Sequence, residues 1–412
     1  DNTKKYLLKN GANLIVKNKK TNKIIALDIT IKGSKALETK PVTSALTANS
    51  ITTGTKTMSN AQLANFLDEN GIKLAAISSN DTFSFNIQTT KDNLEKAFFA
   101  LDEVINNPVF SDYEIEKIKK RKIQELKSVK DSPSKYVFDE FKKLAFKDSI
   151  YGQNSEFILN NINNVKRSDI VDFHSKIINP ENMTIVVVGD VDDKYIQDKI
   201  NEIIKKNPRG KKFNYDDMHY IPYHPEKNIE TTLYKNEVQA NWMALGFKIP
   251  SIKERKEIAT LTVIDSILGE GMSSRLFVNL REKQSLAYTV GSTMHTNLND
   301  GAFISYIGTN ANSIEQAKTG LLSEFEKLKK EPVPEDELQK TKSKIMGKLI
   351  LSLETNMDEA ELLSWYDVLD LDLGAFEEYK KLIENVTSDD ILRAANKYFS
   401  KPYIYTVVLQ EK

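Results

Sequence analysis

Apolar and polar positions change period several times along the chain, and each change marks an element. Residues 11–18 (GANLIVKN) and 24–34 (IIALDITIKGS) are rich in β-branched residues on either side of a polar KKTNK turn, which predicts a strand–turn–strand opening. From Thr43 to Thr53 the small residues suit a short helix. Met58 to Gly71 predicts a clearer one: Ser59 is placed to cap it, Leu63, Phe66 and Leu67 form an apolar stripe, and Gly71 stands at the stop. Residues 72–90 follow as two strands around a Ser-Asn-Asp turn. Asp92 to Val129 is helical with a break at Asn106-Asn107-Pro108, and the run from Met183 to Val188 suits a buried strand.

Part of this layout occurs twice. Residues 92–127 read as a helix, an Asn-Pro-Val break and a long charged amphipathic helix, and residues 312–350 repeat that order. Residues 163–189 form a helix capped by Ser and Asp followed by an apolar strand, and residues 384–410 echo them. Both matches are offset by about 220 residues, so a duplicated unit is the economical explanation. Between them, residues 208–229 mix proline, charge and aromatics without period, as a linker does. The pattern predicts an α+β chain of two tandem homologous domains, 1–207 and 230–412, each a mostly antiparallel sheet packed with helices.

Composition narrows the classes. A chain of 412 residues exceeds one ordinary domain, and 40% apolar with 28% charged residues is typical of a globular protein with a real core. Lys+Arg and Asp+Glu balance at 58 each, so no global field draws the chain to nucleic acid or to an anionic membrane. Its apolar runs are too short to span a bilayer. Without cysteine there are no disulfides and no thiolate metal sites. The chain starts at Asp1 rather than Met, which suggests a processed N-terminus such as a lost signal peptide.

The chemistry-bearing segment is Ser266 to Thr293, SILGEGMSSRLFVNLREKQSLAYTVGST. It holds a Gly-rich turn at Gly269 and Gly271, then Arg275, Arg281 and Tyr288. A dinucleotide fingerprint is excluded because Gly269-x-Gly271 follows a helical stretch rather than a strand and Ser274 fills the third position. On the residues alone, Arg281 pairs with a local carboxylate such as Glu282 and Tyr288 packs in the core. The four histidines form no i, i+4 pair, and no G-x-S-x-G is present.

Here the sequence resembles the pitrilysin-like M16, or inverzincin, family of zinc peptidases, in its bacterial processing-peptidase branch. The resemblance runs over nearly the whole chain and is most specific at SSRLF, LREK and LAY, which set Arg281 and Tyr288 seven residues apart. It implies that this pair faces the catalytic metal, where a tyrosine hydroxyl and a guanidinium can stabilise charge developing on a peptide carbonyl. Active members carry H-x-x-E-H on a helix shortly before a Gly-Thr pair, two histidines binding Zn²⁺ and the glutamate activating water. Gly54-Thr55 fits that pair, and counting back puts Ala45, Ala48 and Asn49 at the ligand and base positions. Glu125, 76 residues after Asn49, stands near the spacing of the third ligand and reads as a relic or a solvated helix charge.

The resemblance therefore implies half of a clamshell: a subunit with no metal or cofactor of its own, paired with an H-x-x-E-H subunit that holds Zn²⁺. In that arrangement Arg281 and Tyr288 act in trans on a peptide substrate, and the strand pair from Lys73 to Gln88 corresponds to the edge where family members bind peptide. The family habit points to the bacterial periplasm, with the cytoplasm as the other setting. The competing expectations are a catalytically inactive structural or peptide-binding homologue, like the family's core proteins of respiratory complexes, and a self-sufficient homodimer, against which the missing metal ligands count.

Overall fold

The computed structural model describes residues 2–411. In the first half, β1 (Thr3–Leu7), β2 (Asn13–Asn18), β3 (Ile24–Lys32), β4 (Lys73–Ser78), β5 (Thr82–Thr90) and β6 (Met183–Gly189) form a sheet ordered β1-β2-β6-β3-β5-β4. In the second, β7 (Ile229–Lys235), β8 (Asn241–Ile249), β9 (Thr289–Thr296), β10 (Gly301–Thr309) and β11 (Ile404–Gln410) are ordered β7-β11-β8-β10-β9. Without β1 the two sheets match strand for strand. β2 runs parallel to β6 and β7 to β11, while every other pairing is antiparallel. β6 is buried at every position because it lies inside the sheet with both faces covered, which is why it reads as an unbroken apolar run.

The helices of the first half are α1 (Thr43–Ser50), α2 (Asn60–Glu69), α3 (Leu94–Asn106), α4 (Asp112–Lys127), α5 (Pro133–Ala145), α6 (Ser155–Asn161), α7 (Arg167–Ile177) and α8 (Asp193–Ile204). Those of the second are α9 (Arg255–Gly269), α10 (Ile314–Lys330), α11 (Glu335–Leu351), α12 (Asn356–Val368), α13 (Ala375–Glu384) and α14 (Ser388–Phe399). Ser59 caps α2 through a capping box with Gln62, and the Asn107-Pro108 break separates α3 from α4.

The chain folds as two compact units that are not consecutive blocks of sequence. One gathers residues up to Gln124, Ile158–His219 and Leu351–Ala375; the other gathers Glu125–Phe157, Tyr220–Ile350 and Phe376 onward. The cause is an exchange of equivalent helices. α12 belongs to the first unit, where Met357 and Ala360 pack on Ile15, Ala26, Val186 and Val188. Polar pins add to this contact: Asp367 accepts from Thr184 at 2.5 Å and Asn13 at 2.9 Å, and Lys17 pairs with Glu359 at 2.6 Å.

α5 belongs to the second unit, where Val137, Phe141 and Ala145 pack on Ala244, Ala302, Ile304, Ile404 and Val408. Gly246 makes room for it, since a Cβ there would lie 2.7 Å from Phe141 Cζ. Beside this contact Lys248, fully buried, pairs with Asp300 at 2.6 Å and donates to the Ala145 carbonyl at the end of α5 at 2.8 Å. The residues between the halves divide the same way. Tyr215 donates to the Asp81 carbonyl at 2.6 Å within the first unit, and Tyr220 donates to Asp300 at 2.6 Å within the second.

Candidate functional site

The connection between β3 and β4 carries the Ala45, Ala48 and Asn49 positions. The chain enters α1 through Val42, a β-branched residue held at φ 78, where such residues rarely sit. Glu38 holds the entry: its Oε1 accepts from Ser44 N at 2.8 Å and from Ser44 Oγ at 2.5 Å. Burial pushes the Glu38 carboxyl up, partly offset by these bonds. Along α1 the polar side chains close on their own backbone. Thr47 donates to Thr43 O at 2.8 Å, Asn49 Nδ2 to Ala45 O at 2.8 Å and Ser50 to Leu46 O at 2.6 Å. Ala48 is buried, Ala45 half-buried and Asn49 exposed.

Gly54 follows at φ 131, and Thr55 donates to the buried Glu103 at 2.8 Å, with Thr57 and Asn107 bonded to the same carboxylate. Burial alone would raise Glu103, but the three hydrogen bonds together hold it below the usual carboxylate range. Glu125 lies on α4 and is exposed. Among the described residues no group of three or more His, Cys, Asp or Glu side chains is gathered to hold a metal ion. His174 bonds to the Ile105 carbonyl at 2.8 Å, and burial keeps its pKa below the ordinary value, as expected of a packing histidine.

The equivalent connection, between β8 and β9, carries the Arg–Tyr segment. Gly269 ends α9 against β9, and a Cβ there would fall 2.1 Å from Ser292 N; Ser292 Oγ in turn donates to Asp265 at 2.5 Å. Gly271 turns the chain at φ 84, and Glu270 between the glycines pairs with Lys344 and Lys348 of α11. The Gly-rich turn is thus a close-packing device. Arg281 follows on a π-helical turn, Phe277–Glu282, rather than on a regular helix.

Its guanidinium lies 4.9 Å from the Phe277 ring centroid, and the residue is exposed. Ser285 reverses the chain at φ 54, and Tyr288 N bonds to Gly308 O at 2.9 Å as β9 begins at the sheet edge. Tyr288 is 60% exposed, so it is not core packing. Arg281 forms no ion pair with Glu282 or any other carboxylate among the described residues. One segment therefore presents two strong donors to solvent.

Residues 15–155 match the family described as insulinase (peptidase family M16), and residues 164–345 match its partner domain, described as peptidase M16 inactive domain. The chain belongs to the M16 peptidase family. A Rickettsia bellii protein described as an uncharacterized zinc protease is 26% identical over 356 residues, covering 86% of this chain and 84% of its own. YmfF of Bacillus subtilis, described as a probable inactive metalloprotease, is 23% identical over 309 residues, 74% of this chain and 71% of its own. In fold, the crystal structure of a peptidase M16 inactive domain from Pseudomonas fluorescens superposes with a TM-score of 0.89 over 100% of both chains, at 19% identity.

The family implies a zinc ion, and the residues present do not fit one. Two alanines offer no donor, and the Asn49 amide nitrogen is directed back to the Ala45 carbonyl. Nothing at these positions can act as general base. Three supporting carboxylates were not singled out by the sequence reading: Glu38, Glu103 and Glu324. Only Glu324 left a signal, a charge on the apolar stripe of α10 between Leu321 and Leu328.

Proposed function

We propose that this chain is the zinc-free subunit of a two-subunit M16 peptidase, completed by a second chain that carries H-x-x-E-H and its Zn²⁺. The observation that supports this most is the contrast between its two equivalent connections. At one, ligand and base positions hold alanine and a self-bonded asparagine; at the other, Arg281 and Tyr288 are exposed, Arg281 over the Phe277 ring and without a carboxylate partner among the described residues. In this reading Tyr288 donates to the oxygen of a peptide carbonyl as it becomes negative, and Arg281 grips carbonyl or carboxylate groups of the peptide through its fork. The positions of Ala45, Ala48 and Asn49 supply, in this reading, no nucleophile and no base. The bacterial periplasm is the compartment this reading carries with it.

The test is a peptidase assay on a quenched fluorescent peptide library, with the chain alone and with the H-x-x-E-H subunit added. Activity is expected only in the mixture. Tyr288→Phe should then lower kcat/KM about 100-fold, the loss typical of one oxyanion donor, while the complex still assembles. A stable complex that cleaves nothing, or one indifferent to Tyr288→Phe, would leave a structural or peptide-binding role. YmfF, described as probably inactive, gives that second reading its support.

A further inference from the structure

The turn that carries Arg281 is an uncommon one. Lys283 N bonds to Val278 O at 3.0 Å, five residues back, and Leu286 N to Leu280 O at 2.8 Å, six back. π-helical turns are rare, strained relative to the α-helix and concentrated at functional sites. They persist where surrounding structure holds them. α10 does the holding here, through two positions one helical turn apart. Leu280, fully buried, sits against Gly320, where a Cβ would lie 2.6 Å from Leu280 Cδ2. Four residues on, Glu324 Oε1 accepts from Asn279 Nδ2 at 3.1 Å, and Asn279 Oδ1 accepts from Lys283 at 3.2 Å. Upstream, Arg275 is fixed by two bonds to Glu337 of α11, at 2.9 and 2.7 Å.

Glu324 is the telling member. It is 1% exposed, its Oε1 is shared between Asn279 and Lys327 at 2.6 Å, and its Oε2 has no partner. A half-satisfied buried carboxylate costs stability that an apolar residue on the same stripe would not. Packing alone gives no reason to keep it.

We infer that Gly320, Glu324 and Asn279 are positioning residues that hold the π-helical turn open and so aim Arg281. If the turn relaxed to α-helix, the residues after it would swing by about 100°, the rotation of one helical residue. This rests on the proposed role of Arg281, and its test separates the two claims. The chain has no cysteine, so Arg281→Cys with Tyr288→Cys gives two unique nitroxide sites whose dipolar broadening reads the turn without any enzyme activity. Glu324→Gln, Asn279→Ala and Gly320→Ala should each change that broadening in the isolated chain. Unchanged spectra in all three would overturn the cradle, whether or not the complex is active.

In the mixture with the H-x-x-E-H subunit, and with Arg281 and Tyr288 intact, Asn279→Ala should lower kcat/KM about 10- to 100-fold. In an Arg281→Ala background the same change should cost markedly less, because its effect passes largely through Arg281. Losses that add independently would overturn positioning through Arg281. Altered spectra with a mixture that never cleaves peptide would uphold the cradle and reject the peptidase reading.

Discussion

Asp28 lies on β3 beneath α12, 1% exposed, and accepts hydrogen bonds from Thr30 at 2.7 Å, from Asn86 at 3.1 Å and from Ser364 of α12. Burial pushes its carboxyl from 3.8 up to about 7, against the pull of Ser364, Thr30 and Asn86 and with added repulsion from Glu361. A raised acid favours the fold only while protonated. Between about pH 4 and 7 the folded state holds a proton the unfolded chain has lost, so stability falls as pH rises through that window. At about 1.4 kcal/mol for each tenfold change in the acid equilibrium, the ionised carboxylate costs the fold about 4 kcal/mol above pH 7.

Asp28→Asn removes the ionisation. Its amide keeps one acceptor oxygen and sets an NH2 group against the remaining donors, a loss of about 1–2 kcal/mol. The variant should therefore be about 2–3 kcal/mol more stable than the parent at pH 8, and level with it or weaker near pH 4.5. Urea unfolding at pH 4.5, 6 and 8 measures this. Hydrogen exchange of α12 amides should accompany it, because a chain of two units need not unfold in one step. Asp367 and Glu359, whose carboxyls lie below the usual range, titrate alike in both proteins and cancel in the difference. Parallel pH profiles for the two proteins, with no gain at pH 8, would refute the reasoning.

Asp300→Ala should cost about 3–5 kcal/mol by leaving Lys248 charged and unpaired in the second unit, read as a lower urea midpoint; an unchanged midpoint would mean Lys248 is already neutral in the fold. Gly269→Ala should destabilise by about 3 kcal/mol or more, since the new Cβ meets backbone rather than a movable side chain, and a normal melting curve would contradict the close packing of α9 on β9. Elemental analysis of dialysed protein should find far less than one zinc per chain, and stoichiometric zinc would overturn the account of Ala45, Ala48 and Asn49.

What was legible in the sequence was what is decided locally. Ser59 and Gln62 cap α2 with side chains three residues apart, and Asn107-Pro108 stops a helix wherever it stands. The offset between the halves was legible because both copies keep the same order of periods. β1 was not, since its two lysines and short length give no strand signal and its order comes from pairing with β2. Nor was the exchange of α5 and α12. Amphipathicity shows that a helix has a face to bury, and says nothing of which sheet covers it. The π-helical turn was hidden for a similar reason, because the glycine and the glutamate that hold it lie about 40 residues downstream, across a strand pair, where single-sequence reading finds no contact.

The duplication supplies an internal control for the functional argument. One scaffold is built twice, and the same connection departs from the same strand in each copy. In the first, Thr43, Thr47, Asn49, Ser50 and Thr53 each bond to a carbonyl three or four residues back, so their polar groups are consumed where they stand. In the second, Arg281 and Tyr288 are exposed, and Arg281 sits on a rare π-helical turn beside a half-satisfied buried carboxylate. Arg281 and Tyr288 are both donors, and on the proposed reading their work is to receive negative charge that a second chain's chemistry creates.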